Sequence, residues 1–459
     1  MKKLNAFFVS VLASAAVDAA VIEQVIVRQQ WPWSTDIKVE YKLSGVTGAS
    51  PVDVAVKAYN GDVELPLPTG AIRGERFGIA EDGVGTFVID PVRAFGTGKV
   101  ALANFKVKLS VSASKDNLDE VLYKIYDLKA TTPAQSCTGV TRRQILNGEY
   151  GDYVTDYSSF GPGFATSASD VLVWTGVTNG LTYKTDKLVM RRIKAGTFIC
   201  GGNLNTPGIE ITIDKDYFIG VFEATYAQCE LLTAGRTTQF FSNETCRAAR
   251  PMDSVSFNHI RGQNGQSWPE NPTADLGTQT YLKKIRDKTG VSSFDLPQEI
   301  HWEYAARGGT QTIWNNGMSD ETSQDKNTAL PLIARTKYTG GWGWSVATAE
   351  QPKGDVDTSR GTAEVGSYLP NAFGLYDCHG NVGEWCLDRG SDWEDVTADY
   401  LKNGNTTVEG GQRIVKGSDW NTGVTNQKID RRSLVVCDKV QIPATTAGTL
   451  GFRFYHAAE

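Results

Sequence analysis

The 459 residues carry 46 Lys and Arg against 52 Asp and Glu, a formal charge of −6, with no basic cluster. That balance argues against a nucleic-acid partner. A chain of this length has surface enough for two or three domain cores, and after the N-terminus no apolar run approaches the roughly 18 residues needed to cross a bilayer.

Lys2 and Lys3, the apolar run from Ala6 to Val17 and the small residues through Ala19 and Ala20 read as a secretory signal peptide over 1–19. Export follows, to a secreted, periplasmic or cell-surface location. Its removal leaves 44 basic against 51 acidic residues, a charge of −7. Over 20–128 apolar residues alternate with polar ones, as in Ile37, Val39, Tyr41 and Leu43, in Val52, Val54 and Val56, and in Phe105, Val107, Leu109 and Val111. A period of two marks half-buried strands. Turn signals at Ser44-Gly45, Asn60-Gly-Asp62 and Glu81-Asp-Gly83 space them as in an all-β sandwich of immunoglobulin-like type. Trp31-Pro-Trp33 offers either a carbohydrate-stacking platform or plain packing.

Residues 129–184 are rich in Thr, Ser, Gly and Tyr with weak periodicity, which predicts a connector or insertion. Strands are expected at Lys187 to Arg192 and Phe218 to Phe222, then a helix capped by Thr225 and closed at Gly235. A second helix is expected from Ala274 to Lys288, stopped by Gly290, and a third with Pro297 in its first turn and Gly308-Gly309 at its end. Beyond Gly309, Gly, Trp, Asn and Thr predominate and no long helical pattern recurs.

The run Phe373-Gly-Leu-Tyr-Asp-Cys-His-Gly-Asn-Val-Gly-Glu-Trp-Cys-Leu-Asp388 concentrates oxygen ligands among turn glycines. Asp377, Asn381, Glu384 and Asp388 suit a hard cation such as calcium, although an ordinary polar turn reads the same way. This run resembles the signature of the formylglycine-generating enzyme (sulfatase-modifying factor) family. Phe294-Asp-Leu-Pro-Gln-Glu-Ile-His-Trp-Glu-Tyr-Ala-Ala-Arg-Gly-Gly309 upstream, and Arg413-Ile-Val-Lys-Gly-Ser-Asp-Trp420 with Gly451-Phe-Arg453 downstream, agree in order. The resemblance covers 185–459 and implies an α+β, C-type-lectin-like fold with much irregular structure. It also implies a structural calcium ion at Asp377 and Glu384 through side chains and at Gly380 and Val382 through carbonyls. A second calcium site of some members would need an Asn where Arg335 stands.

The oxidases of that family hold Cu(I) with two cysteines after the Gly-Ser-Trp-like segment, soft sulfur being the ligand that metal prefers. Here the interval Trp420 to Arg432 contains no cysteine, Gly423 and Lys428 stand near the two positions, and Gly383 replaces an aromatic of the oxidase wall. Copper is therefore not expected, and the chain reads as a non-catalytic binder of a glycan or extracellular protein; the alternative is a divergent oxidase acting on exported sulfatases. Trp342 and Trp344, in Gly340-Gly-Trp-Gly-Trp344, are the candidate ligand surface. Seven cysteines (137, 200, 229, 246, 378, 386, 437) permit disulfides in an exported chain but leave one over. With no Cys-x-x-Cys, no Gly-x-Ser-x-Gly and four scattered histidines, neither structural zinc nor an elbow-type hydrolase is expected.

Overall fold

A computed structural model describes residues 20–458 apart from 31–32, 98–101, 116, 203–206, 234–246, 263–277, 320–329, 337–338, 340–360, 391–392, 404–410, 424–425 and 440–448. The expected signal peptide, Gly235, Cys246, Trp31, Trp342 and Trp344 lie outside the described residues. The chain divides into two compact units: Met1–Leu122 with Val140–Val154 and Trp174–Val177, and Tyr123–Gly139 with Thr155–Val173 and Thr178–Glu459.

In the first unit the period-two pattern becomes strands. Ile37–Ser44 buries Ile37, Val39, Tyr41 and Leu43 and turns Lys38, Glu40 and Lys42 outward. One sheet runs in the order Val21–Gln29, Ile37–Ser44, Gly83–Ile89, Ile72–Gly74, and another in the order Val63–Leu65, Val52–Asn60, Phe105–Ala113. Ile22, Val25, Val39 and Tyr41 from the first sheet share one core with Val52, Val54, Val107 and Leu109 from the second. Gly61, at φ +64°, makes the tight return between Asn60 and Val63, a conformation that glycine adopts without steric cost. Trp33 is 91% exposed, so its indole supports no core.

The second unit mixes helix and strand. Its five-stranded sheet has the order Tyr455–Ala457, Tyr217–Gly220, Lys187–Ile193, Val121–Asp127, Cys137–Thr141. The strand Val121–Asp127, read from sequence with the first domain, thus pairs along Lys187–Arg191. The stretch 129–184 is well packed, with Val140, Ile145, Tyr153, Tyr157, Phe164, Val173 and Trp174 all buried, and its parts divide between the two units. Its weak periodicity has a physical origin: the elements, such as the strand Cys137–Thr141 and the helix Arg142–Leu146, are too short to show a repeat.

The helices follow their caps. Tyr226–Thr233 starts at a capping box, with Thr225 Oγ1 accepting from Gln228 N at 3.3 Å and Gln228 Oε1 accepting from Thr225 N at 3.0 Å. The second helix runs Tyr281–Thr289, capped by Thr280, and it ends at Gly290 with φ +74°; Ala274, its expected start, lies outside the described residues. The third is Glu299–Arg307; Pro297 precedes the cap residue Gln298, whose side chain makes no capping bond. Asp388 supplies that bond from another strand, its Oδ2 accepting from Glu299 N at 2.5 Å. Ile300, Trp302, Ala305 and Ala306 of this helix pack into one core with Phe198, Ile211, Tyr217, Leu375, Cys386 and Ile414.

Candidate functional site

The turn singled out in the sequence leads into Gly383–Arg389, an inner strand of a sheet ordered Ser433–Val436, Gln412–Lys416, Gly383–Arg389, Leu450–Gly451. Asp377, Gly380 and Asn381 take φ of +56°, +75° and +59°. Asp and Asn tolerate that region better than other side chains, and Gly380 is required: a Cβ there would stand 1.9 Å from the Arg335 carbonyl oxygen. The cost of the left-handed residues is offset by side-chain bonds. Asp377 Oδ2 accepts from Gly366 N at 2.7 Å, and Asn381 Oδ1 accepts from Ala363 N at 2.8 Å.

The structure brings Asp377 and Glu384 to one buried locus, and adds Glu223, which the sequence reading missed. Glu223 Oε1 accepts from Val382 N at 3.0 Å and Oε2 from Asn381 Nδ2 at 2.6 Å. All three carboxylates are at most 2% exposed. Arg453 faces them, donating through Nη2 to Glu384 Oε1 at 2.8 Å and through Nε to Oε2 at 3.0 Å, and its remaining donors serve the carbonyls of Gly220, Val221 and Tyr376. Trp302 Nε1 donates to the same Glu384 Oε2 at 2.7 Å. Burial, then the Asp377 and Glu384 charges, push the Glu223 carboxyl well above the carboxylate range. Burial likewise raises Asp377 to about 6, against the opposing Gly366 N–H and Arg453.

Of the calcium ligands implied by resemblance, Asp377 fits an ion well, because its Oδ1 is buried without a hydrogen-bond partner. Glu384 fits less well, since Arg453 and Trp302 already fill both of its oxygens. Among the described residues no group of three or more His, Cys, Asp and Glu side chains is arranged to hold a metal. Arg335, where a second ion would need Asn, is buried and donates to Gly361 O at 2.9 Å.

The loop that follows Lys416 is closed by an amide. Gln427 Nε2 donates to Asp419 O at 2.9 Å and to Thr422 O at 3.3 Å, and Gln427 O meets His379 Nδ1 at 2.7 Å. Burial holds His379 down to about 4, so it is a neutral ring in the interior. His301 and His456 are lowered to about 4 for the same reason, and His456 Nε2 pairs with Tyr126 OH at 3.0 Å. His259 closes a capping box with Ser256. Cysteines 137, 200, 378, 386 and 437 are free, and burial pushes the Cys200, Cys229 and Cys386 thiols well above their ordinary value. Among the described residues no helix is long and apolar enough to cross a membrane.

Comparison with known proteins places this geometry. Residues 181–458 match the family model described as sulfatase-modifying factor enzyme 1-like domain. Over 268 residues the chain is 27% identical to a protein named chaperone protein LppX from Paenibacillus barcinonensis, covering 55% of this chain and 85% of that one. It is 29% identical over 163 residues to the formylglycine-generating enzyme of Thermomonospora curvata, covering 34% of this chain and 48% of that enzyme, so it spans about half of that relative's length. The mouse protein named inactive C-alpha-formylglycine-generating enzyme 2 is 28% identical over 164 residues, 34% of this chain and 41% of its own. Among solved structures, PvdO from Pseudomonas aeruginosa superposes with a TM-score of 0.42 at 20% identity over 59% of this chain and 94% of that one.

Proposed function

We propose, from the premise that this chain belongs to the sulfatase-modifying factor enzyme 1-like family through residues 181–458, that it is an exported member which binds a ligand and does not oxidise one. The observation that carries this reading is the interval Trp420 to Arg432, which offers no thiol. Cu(I) needs sulfur donors in their thiolate form. Cys437, the nearest candidate in sequence, is a single buried thiol raised by that burial.

A protein ligand is favoured over a glycan, because the relative matched over 85% of its own length is one named a chaperone. Trp342 and Trp344 would supply the contact surface, and replacing both with alanine is expected to abolish retention of the ligand. The N-terminal unit would present this domain as an immunoglobulin-like sandwich, and the second would use a C-type-lectin-like surface. Calcium at the Asp377 turn is part of the same proposal, in a structural role. Export rests on Lys2, Lys3 and the apolar run that follows.

The deciding experiment incubates the protein with a Cys-x-Pro-x-Arg peptide, Cu(I) and oxygen and follows the peptide by mass spectrometry. No aldehyde is expected. Formylglycine in the product would overturn the proposal and restore the divergent-oxidase alternative.

A further inference from the structure

Trp33 belongs to no core, yet its backbone is held in place. It stands in the turn that joins the antiparallel strands Val21–Gln29 and Ile37–Ser44, where Gln29 pairs with Ile37. Trp33 N and Ser34 N both donate to Gln30 O, at 3.0 and 3.2 Å, and Gln30 N donates to Asp36 O at 3.2 Å. Asp36 N donates to Ser34 Oγ at 3.0 Å, which ties the second half of the turn. The indole on this fixed backbone is 91% exposed. Apolar surface of that size gains by being covered, and a backbone fixed beforehand lowers the cost of covering it.

What surrounds the indole selects the partner. The turn offers Gln30, Ser34, Thr35 and Asp36, and Arg73 reaches it from the strand Ile72–Gly74, with Nη2 3.6 Å from Asp36 Oδ1. A protein anchor sits among contacts that exclude water, and these neighbours are polar. A bilayer contact needs apolar residues beside basic ones, whereas the charge that the turn 30–36 carries is the acid Asp36. A pyranose ring matches both features: its C–H face stacks on an indole, and the hydroxyls on its rim bond to carboxylate, guanidinium, hydroxyl and amide groups. The side chains of Arg73 and Asp36 remain 44% and 26% exposed, so both are open to such a ligand. One indole grips one ring weakly, and a polymer that presents the same ring repeatedly offsets this by avidity.

We propose that Trp33 is the stacking platform of a polysaccharide site on the first unit, with Asp36 and Arg73 bonding to the hydroxyls of the stacked pyranose ring. The site is far in sequence from Trp342 and Trp344 and does not depend on the reading of the second unit as a ligand binder. It gives the first unit a task of its own, attachment to a glycan.

The test measures retention of the full mature protein on cellulose, chitin and peptidoglycan, each a β-1,4-linked chain of pyranose rings, and on vesicles of phosphatidylglycerol. Wild type is compared with W33A, W33Y and the double variant W342A/W344A, with circular dichroism and the thermal midpoint reporting folding. Wild type is expected to be retained on at least one polysaccharide, W33A to bind it about tenfold or more weakly, and W33Y to keep most of the affinity because its ring still stacks. W342A/W344A is expected to match wild type here, which separates this site from the surface proposed for the second unit. Retention of W33A equal to that of wild type, or a wild type that binds none of the three polysaccharides, overturns the proposal. So does loss of retention in W342A/W344A with W33A intact, which assigns the glycan to the other surface. Binding to vesicles alone that W33A abolishes overturns it in favour of a membrane contact. Should W33A fail to fold, W33Q takes its place in every comparison.

Discussion

Arg453 shows how much one side chain can hold. It is fully buried and its donors reach Glu384 and the carbonyls of Gly220, Val221 and Tyr376. Replacing it by methionine would leave Glu384 without its ion-pair partner in the interior and take one donor from each of three carbonyls, and breaking a buried pair from one side costs about 3–5 kcal/mol. R453M is therefore expected to lose about that much in urea unfolding; a loss under about 1 kcal/mol would show that the guanidinium is dispensable. The sequence could flag Gly451-Phe-Arg453 only through resemblance, because Arg453 and Glu384 are far apart in the chain and no local spacing links them. Glu223 was invisible for the same reason: a lone acid after Phe222 carries no sign that the turn at Asn381 will close onto it.

At the scale of elements, the helix Glu299–Arg307 is set by long-range chemistry. Its cap is Asp388, which faces Glu299 and Arg432 and is pushed up to about 7, first by burial and then by the Glu299 charge. The sign follows from linkage: the folded state keeps this proton to a pH where the unfolded state, near the ordinary value of 3.8, has released it. Stability from this group is present at low pH and is lost as pH rises from about 4 to about 7. D388N can still accept from Glu299 N and carries no charge, so its urea midpoint is expected to fall less between pH 4.5 and 7.5 than that of wild type. Equal slopes would refute the titration of Asp388 in that window. Glu303 in the same helix behaves oppositely: against its burial, Lys416 and Arg307 hold it to about 2, so its contribution is present above the ordinary value of 4.5 and is lost as pH falls toward 2. Helix ends were legible where the cap is local, at Gly290 and Gly308, and illegible where it comes from a distant strand.

For the whole molecule, the informative boundary is the strand Val121–Asp127. A cut at 128 divides the sequence by composition, yet this strand pairs along Lys187–Arg191 in the five-stranded sheet. A fragment beginning at residue 129 would lose it and bare the buried faces of Leu188, Val189 and Met190. Such a fragment is expected to be insoluble, and recovery of a folded, cooperatively unfolding 129–459 piece would contradict the sheet order. The sequence by itself determined what depends on neighbours along the chain: the period-two strands of the first unit, the capping box at Thr225, the glycine stops, and the absence of thiols between Trp420 and Arg432. Tertiary structure alone decided which carboxylate is satisfied and which is not, that Asp388 caps a helix, and that 129–184 is packed core. Those outcomes are set by burial and charge pairing between segments far apart in the chain, and no local pattern of residues encodes them.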